Sequence, residues 1–578
     1  MTNVGGTMNG RTDVAAFLLD MERAFGEPMT GTGELCFERA LARDDNEEYP
    51  ERALEALRRF GIAEHGVPAG HGGRAVDIVD SLEIFRALSR RDATLATSLA
   101  TTSLGYMPVW IAGTDEQRTR YAKAVLAGSQ LAWALSERDH GSDIMATETT
   151  ARRVPGGFLL SGEKWPIGNS ARGDHAAVFA RTGERPGPAA FSVLMVDLRS
   201  PAVRPLPRER FHGVRAIDNG GLRFDDCFVP DEDLIGAVGH GLEIALRAAY
   251  PARVLATSVA LGCVDTGLRL VVRFCLERRI FGRILMENAY TARDMAGSFA
   301  NLLAADAVAV SAARTLQVAP RRASLVSSVT KFFVPTVLER TMSRLATVLG
   351  ARHFMRSAGE YGMFHKSARD LWISHFAEGN HVVNLKNIAL QLETLLTDRD
   401  GDQTIADQVF SLDRPLPPFQ PWLFDLQARG ADDAVANAPE AAERLRARAP
   451  EPWLAELVDA ASRLPVERER LRAELADLRA ARGSGYLQAN ALYDLAERYC
   501  RLHVAGCVVQ FAARPVADGP LNSPAVALAC LGRLLGLPVL DNEALVGAVN
   551  AVLTRMYCEG RLFSMREYPV AESLAVSA

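Results

Sequence analysis

Between Leu131 and Ile235 the spacing of apolar residues drops from three-and-four to two, and that change divides the chain. Before it, RALEALRRFG (52–61), SLEIFRALSRR (81–91) and DEQRTRYAKAVLAG (115–128) gather their apolar side chains on one helical face. Within it, GFLLSGEKW, HAAVFART, FSVLMVDL and GGLRFDDCFVP alternate and are punctuated by Gly, Pro, Asn and Asp, the pattern of short strands. From His240 to about Leu392 long runs with broad apolar faces return, which suit a bundle of antiparallel helices. The predicted fold is mainly α with a central antiparallel β domain. Its parts are an N-terminal helical domain (13–130), the β domain (131–236), a helical bundle (237–397) and a helical C-terminal extension (398–578). IAEHGVPAGHGG (62–73) reads as a sharply turning loop, and SLDRPLPPFQP (411–421) as a connector that cannot be helical.

The formal net charge of -5 provides no overall basic field for nucleic acid. From Gly401 onward there are 18 arginines, no lysine and 23 acidic residues, so the tail is not a basic arm either. Within it RLPVERERLRAELADLRAAR (463–482) reads as a solvated helix rather than an intersubunit one. Eight scattered cysteines without a C-x-x-C pair point to buried reduced thiols and a reducing compartment. The first residues carry no signal-peptide core, and no run reaches the roughly 18 apolar residues of a membrane span. A cytoplasmic protein with no membrane span is the expectation.

Five short strings lie in order along this frame: WALSERDHGSD (133–143), GEKWPIGNSARGDHAAVFART (162–182), LRFDDCFVPDEDLIG (222–236), ERRIFG (277–282) and RDLWISHFAEGN (369–380). Singly each is bland, since Gly-Ser-Asp is usually a turn and Glu-Gly usually a helix end. Together they resemble the flavin-contacting, β-domain, subunit-contacting and catalytic segments of the acyl-CoA dehydrogenase family. The resemblance covers roughly residues 20–395, and the helical tail is similar to that of the very-long-chain branch in length and character only.

The resemblance implies FAD-dependent α,β-dehydrogenation of an acyl thioester carried on CoA or a carrier protein. It puts Glu378 at the place of the base that removes the α proton; an apolar pocket would raise its pKa toward neutrality. By the same resemblance Leu135, Ser136, Gly141, Ser142, Ile167, Gly168, Arg278, Phe281, Gly350 and Asn380 contact FAD, Arg278 and Phe281 from a neighbouring subunit. Ser142, Arg253 and Gly379 border the substrate; a helix-surface arginine is the competing reading of Arg253. The Glu378 N–H would serve the thioester oxygen. No metal is implied. The implied partners are an electron acceptor such as an electron-transfer flavoprotein, and a second copy in a homodimer or homotetramer.

Several positions depart from the family pattern. Pro166 stands in place of a Trp, Gly168 of a Thr whose hydroxyl reaches the flavin, Asn380 of a Thr and Ala289 of a Gln; the Gly-Gly loop reads LGARHF (349–354). Trp165 reads better as a core Trp than as a displaced aromatic wall. Two rival readings share the fold: a flavin oxidase or monooxygenase, and a catalytically silent scaffold, the latter motivated by these lost flavin contacts. Retention of Glu378 argues against most oxidase branches, and the lysine-free tail against a DNA-binding branch.

Overall fold

The structure, a computed structural model, describes residues 14–356, 361–397, 400–516, 519–566 and 568–571. Five helices come first: α1 (Val14–Phe25), α2 (Phe37–Asn46), α3 (Glu51–Phe60), α4 (Ile78–Ala112) and α5 (Asp115–Leu126). α4 is bent where Asp92 leaves helical geometry (φ −163°, ψ 109°). The Asp92 carboxylate accepts from the Thr94 N–H (3.0 Å), so it caps the second half of the helix. It also takes Lys366 (2.7 Å) and Arg43 (3.2 Å), which ties the bend into the bundle. Thr114 and Gln117 form a capping box that starts α5 where its apolar pattern begins.

Eight strands follow: β1 (Leu131–Ala134), β2 (Thr150–Val154), β3 (Gly157–Gly168), β4 (His175–Arg181), β5 (Phe191–Asp197), β6 (Val203–Leu206), β7 (Asn219–Pro230) and β8 (Leu234–Ile235). They are ordered β6-β7-β3-β2-β4-β5-β8, with β1 beside β4. The sheet is mixed rather than wholly antiparallel. β1 runs parallel to β4 (Leu131 opposite His175), and β2 meets β4 in the same sense at Thr150 and Arg181. β1 leads into a long loop, not a tight hairpin, so nothing forces its nearest neighbour to run against it. The β3–β7 ladder passes from Lys164 to Ile167 and leaves out Trp165 and Pro166, where proline has no N–H to donate.

The bundle contains α6 (Gly241–Glu277), a small hairpin of β9 (Arg279–Ile280) and β10 (Arg283–Ile284), α7 (Ala289–Val318), α8 (Ala323–Leu349), α9 (Tyr361–Asp370), α10 (Ile373–Phe376) and α11 (His381–Leu396). α7 is long and apolar enough to cross a membrane, contrary to the sequence expectation, but its apolar stretch is wholly buried in the protein. It is the central helix of the core.

The extension adds α12 (Gln403–Phe410), α13 (Asp433–Ala436), α14 (Ala438–Arg446), α15 (Leu454–Ala461), α16 (Arg463–Arg482), α17 (Asn490–Ala512), α18 (Pro524–Leu535) and α19 (Glu543–Cys558). Only Leu464, Leu471 and Leu475 of α16 are buried, as a solvated helix requires. The proline-dense stretch is more than a connector. Leu416 and Phe419 are buried, the Phe419 ring lies 5.0 Å from that of Trp110, and Gln317 donates to the Pro417 carbonyl (2.8 Å). After α19 the chain returns to the N-terminal helices. Arg86 donates to the Phe563 carbonyl (2.7 Å), Ser564 donates to Asp306 (2.9 Å), and the Ala571 N–H donates to Glu22 (2.7 Å). Seven of the cysteines are buried and unpaired as expected, whereas Cys558 is exposed.

Candidate active site

Glu378 lies on the short turn between α10 and α11, at the wall of a cavity bordered by α4, α6 and α10. Ala100, Leu104, Met107, Leu255, Val259 and Ile373 supply apolar lining, so the cavity suits an acyl chain. Both Glu378 (φ 60°) and Gly379 (φ 97°) are left-handed, an uncommon backbone for a glutamate. A Cβ on Gly379 would meet nothing closer than 3.6 Å, so its conformation, not crowding, calls for glycine. The Asn380 side chain accepts from the Val383 N–H (3.0 Å) and starts α11.

Burial raises the Glu378 carboxyl above its usual range, while Lys331 and then Arg253 pull it down. Arg253 is buried, not on a helix surface, and its Nε donates to the Glu378 carbonyl (3.3 Å). Lys331 is fully buried and donates from Nζ to the Ser374 carbonyl (2.5 Å), which holds α10 against α8. Burial brings its ammonium down to about 7, against the pull of Glu378. No motif singled out Lys331, yet one lysine inside the apolar run SSVTKFFVPTV carries the signal of a buried charge.

The loop after β1 forms the next part of the site. Against the cost of burial, Lys164, the Glu148 N–H and the Thr149 hydroxyl hold the Glu137 carboxyl down to about 2. Glu137 is therefore the anchor of this loop. The Trp165 N–H donates to the Ser136 carbonyl (2.9 Å), and Asn380 donates to the Ser142 hydroxyl (3.3 Å), which links the loop to the base's turn. Leu135 and Ser136 are half-buried, Gly141 and Ser142 exposed. Ile167 is buried, so only its backbone is available. Trp165 is partly exposed rather than core: its indole N–H donates to Glu209 (2.8 Å) and Arg138 covers its ring at 4.3 Å.

A Cβ on Gly168 would lie 2.7 Å from Thr101 Cγ2 and 3.1 Å from Thr101 Oγ1, so α4 packs closely on β3 at this point, and the Thr101 hydroxyl donates to the Thr97 carbonyl (3.0 Å). Thr101 also lines the cavity that contains Glu378. A threonine in an apolar helix gives no sequence sign of this, because its importance comes from which strand it faces.

Three predicted positions lie elsewhere. Arg278 follows Arg253 by 25 positions at the end of α6, roughly 37 Å away at 1.5 Å per residue. Phe281 caps the β9–β10 hairpin, wholly exposed, and Gly350 (φ 64°) follows α8. They cannot touch a ligand that sits at Glu378 of the same protomer. Among the described residues no cluster of three or more metal-ligating side chains exists.

Comparison with known proteins fits this arrangement. Three family models match in order: the acyl-CoA dehydrogenase N-terminal domain at 34–129, the middle domain at 132–227 and the C-terminal domain at 239–393. The chain belongs to the acyl-CoA dehydrogenase family. An acyl-CoA dehydrogenase of Bacillus subtilis (strain 168) is 30% identical over 247 residues, which cover 42% of this chain and 65% of the relative. The fold of an acyl-CoA dehydrogenase from Bacillus anthracis, solved in complex with FAD, matches 94% of this chain and 93% of its own at 19% identity (TM-score 0.68), so it accounts for most of the extension too. The prolyl acyl carrier protein oxidase AnaB covers 65% of this chain and 97% of its own at 19% identity (TM-score 0.58).

Proposed function

We propose that this acyl-CoA dehydrogenase family member uses FAD to introduce an α,β double bond into an acyl thioester, with Glu378 as the base. The observation that carries the reading is the single carboxylate on the wall of an apolar cavity, raised by burial and flanked by two buried cations. FAD suits the residues present. Ser136, Gly141, Ser142, Gly168 and Asn380 present neutral donors and acceptors along the rim between the β domain and the Glu378 turn, beside Thr101 Oγ1. When bound, FAD accepts the β hydrogen as hydride.

The chain's own part is proton removal and placement. Glu378 takes the α proton, which a carboxylate of raised pKa does better than a solvated one. Its backbone N–H serves the thioester oxygen as charge grows there. Gly379 keeps the turn open, Arg253 fixes the base's carbonyl, and Lys331 fixes α10 in front of it.

At one end of the bundle Phe281 on the β9–β10 hairpin, Tyr290 at the start of α7 and Phe354 just after α8 are exposed aromatic side chains. We assign them to contact with a second copy, where Arg278, Phe281 and Gly350 would meet the other protomer's FAD. The carrier is CoA or a carrier protein, and the acceptor an electron-transfer flavoprotein.

Anaerobic mixing with a saturated acyl thioester, protiated or deuterated at the α carbon, tests the reading. Enoyl thioester should form with a primary isotope effect on the reductive phase. Absence of enoyl product from every thioester class would contradict it.

A further inference from the structure

A second cavity adjoins the first. Phe85 and Ser103 line both, so these two side chains alone of the lining are shared between them. The two cavities differ in chemistry. The first is almost wholly apolar apart from Thr97, Thr101, a few serines and Glu378. The second also contains His65, Thr102, Gln130 and Arg58, and is bordered by α3, α4 and the residues leading into β1.

Two polar atoms in the second chamber are buried with no hydrogen-bond partner among the described residues: His65 Nε2 and Gln130 Oε1. His65 is 6% exposed and its ring packs against that of Phe17, tilted, with centroids 4.0 Å apart, so it is held in place. The Gln130 amide is fixed from its other end, where Nε2 donates to the Tyr49 hydroxyl (3.3 Å). Buried polar atoms are normally paired, so two unmatched ones that line one chamber mark a place for a polar ligand group. That group must donate, because Gln130 Oε1 only accepts. A carboxylate is disfavoured: the one cation lining the chamber, Arg58, is already paired with Glu55.

We infer that the substrate's acyl chain passes Phe85 and Ser103 and places a neutral hydrogen-bond donor, a hydroxyl or amide N–H at its far end, between His65 and Gln130. The inference rests on the dehydrogenation reading and names the substrate class within it. The first chamber receives the carbons next to the thioester, where the double bond forms, and the second selects the chain by its end.

Flavin reduction by the holoenzyme decides the matter when acyl-CoA thioesters of equal length are compared across the short, medium and long ranges, ending in methyl, hydroxyl or carboxylate. At the length that reaches the second chamber, the hydroxyl-ended thioester should exceed the methyl-ended one by about tenfold in kcat/KM, the effect of one well-placed hydrogen bond. The carboxylate-ended one should be the poorest. His65→Leu should abolish the preference, and His65→Gln, which keeps a polar group, should restore part of it. Methyl-ended chains favoured at every length, a preference unchanged in His65→Leu, or acceptance of short chains only would overturn the inference while leaving the dehydrogenase reading in place. No reduction by any thioester would overturn both.

Discussion

At Glu378 opposing influences meet: burial raises the carboxyl while Lys331 and Arg253 lower it, and the net effect leaves it above the ordinary carboxylate range. Glu378→Gln keeps the shape and removes the proton acceptor, so kcat should fall by about 10²–10⁴-fold while flavin absorbance is retained. Steady-state kinetics on flavin-loaded variant checks this, and wild-type turnover would remove Glu378 from its role. Glu83 illustrates a different use of burial. It is fully buried, both its oxygens lack partners among the described residues, and burial, opposed by Arg86, raises it to about 7. Between about pH 4.5 and 7 the folded protein keeps this proton while the unfolded chain loses it. The benefit of the neutral form is therefore present at low pH and lost as pH rises through 7. Glu83→Gln should leave stability at pH 5 close to wild type and raise it at pH 8 by up to about 3 kcal/mol, read from denaturant midpoints. A stability change of equal size at both pH values would contradict this account.

Among the elements, the switch from period three-and-four to two and back was legible before any coordinates, because helices and strands each bury one face of a regular repeat. The turn carrying Glu378 was legible only through the resemblance of RDLWISHFAEGN to the family's catalytic segment. What periodicity could not show is which faces meet: Thr101 against Gly168, Lys331 behind α10, and the parallel approach of β1 to β4 are all choices of partner. The docking of α13 on α17 belongs to the same class. Asp432 accepts from the Tyr499 hydroxyl (2.7 Å) and pairs with His503 Nδ1 (2.8 Å), all of them buried. Although burial opposes it, Asp432 drives the imidazole well above its usual value. Asp432→Ala leaves the Tyr499 hydroxyl and His503 Nδ1 without their shared buried partner and should cost about 3–5 kcal/mol, measured by chemical denaturation; a loss below 1 kcal/mol would show that the pair carries little. On the opposite end of the bundle, Phe281→Asp should convert an oligomer to monomers and weaken FAD retention without unfolding α6. Sedimentation equilibrium with flavin quantitation reads both, and an unchanged oligomer would move the interface elsewhere.

Across the whole molecule, the C-terminal extension and the N-terminal helices are closed onto each other by buried charge. Arg86 joins Asp306 and the Phe563 carbonyl, and Glu22 receives Arg90, Arg91 and the Ala571 N–H. Local patterning says nothing of such a return, since it joins residues 549 positions apart. Its effect is to brace α4, the helix that lines both the chamber next to Glu378 and the one beyond Phe85. Scaffold, chamber and the Glu378 turn are therefore one arrangement. The most direct measurement is the visible absorption spectrum of the purified protein during anaerobic titration with saturated acyl thioesters. The account predicts a bound flavin whose band bleaches with one class of acyl group, and which stays oxidised in Glu378→Gln. A protein that retains no added FAD, or a flavin that no thioester reduces, would contradict it and leave the fold as a scaffold.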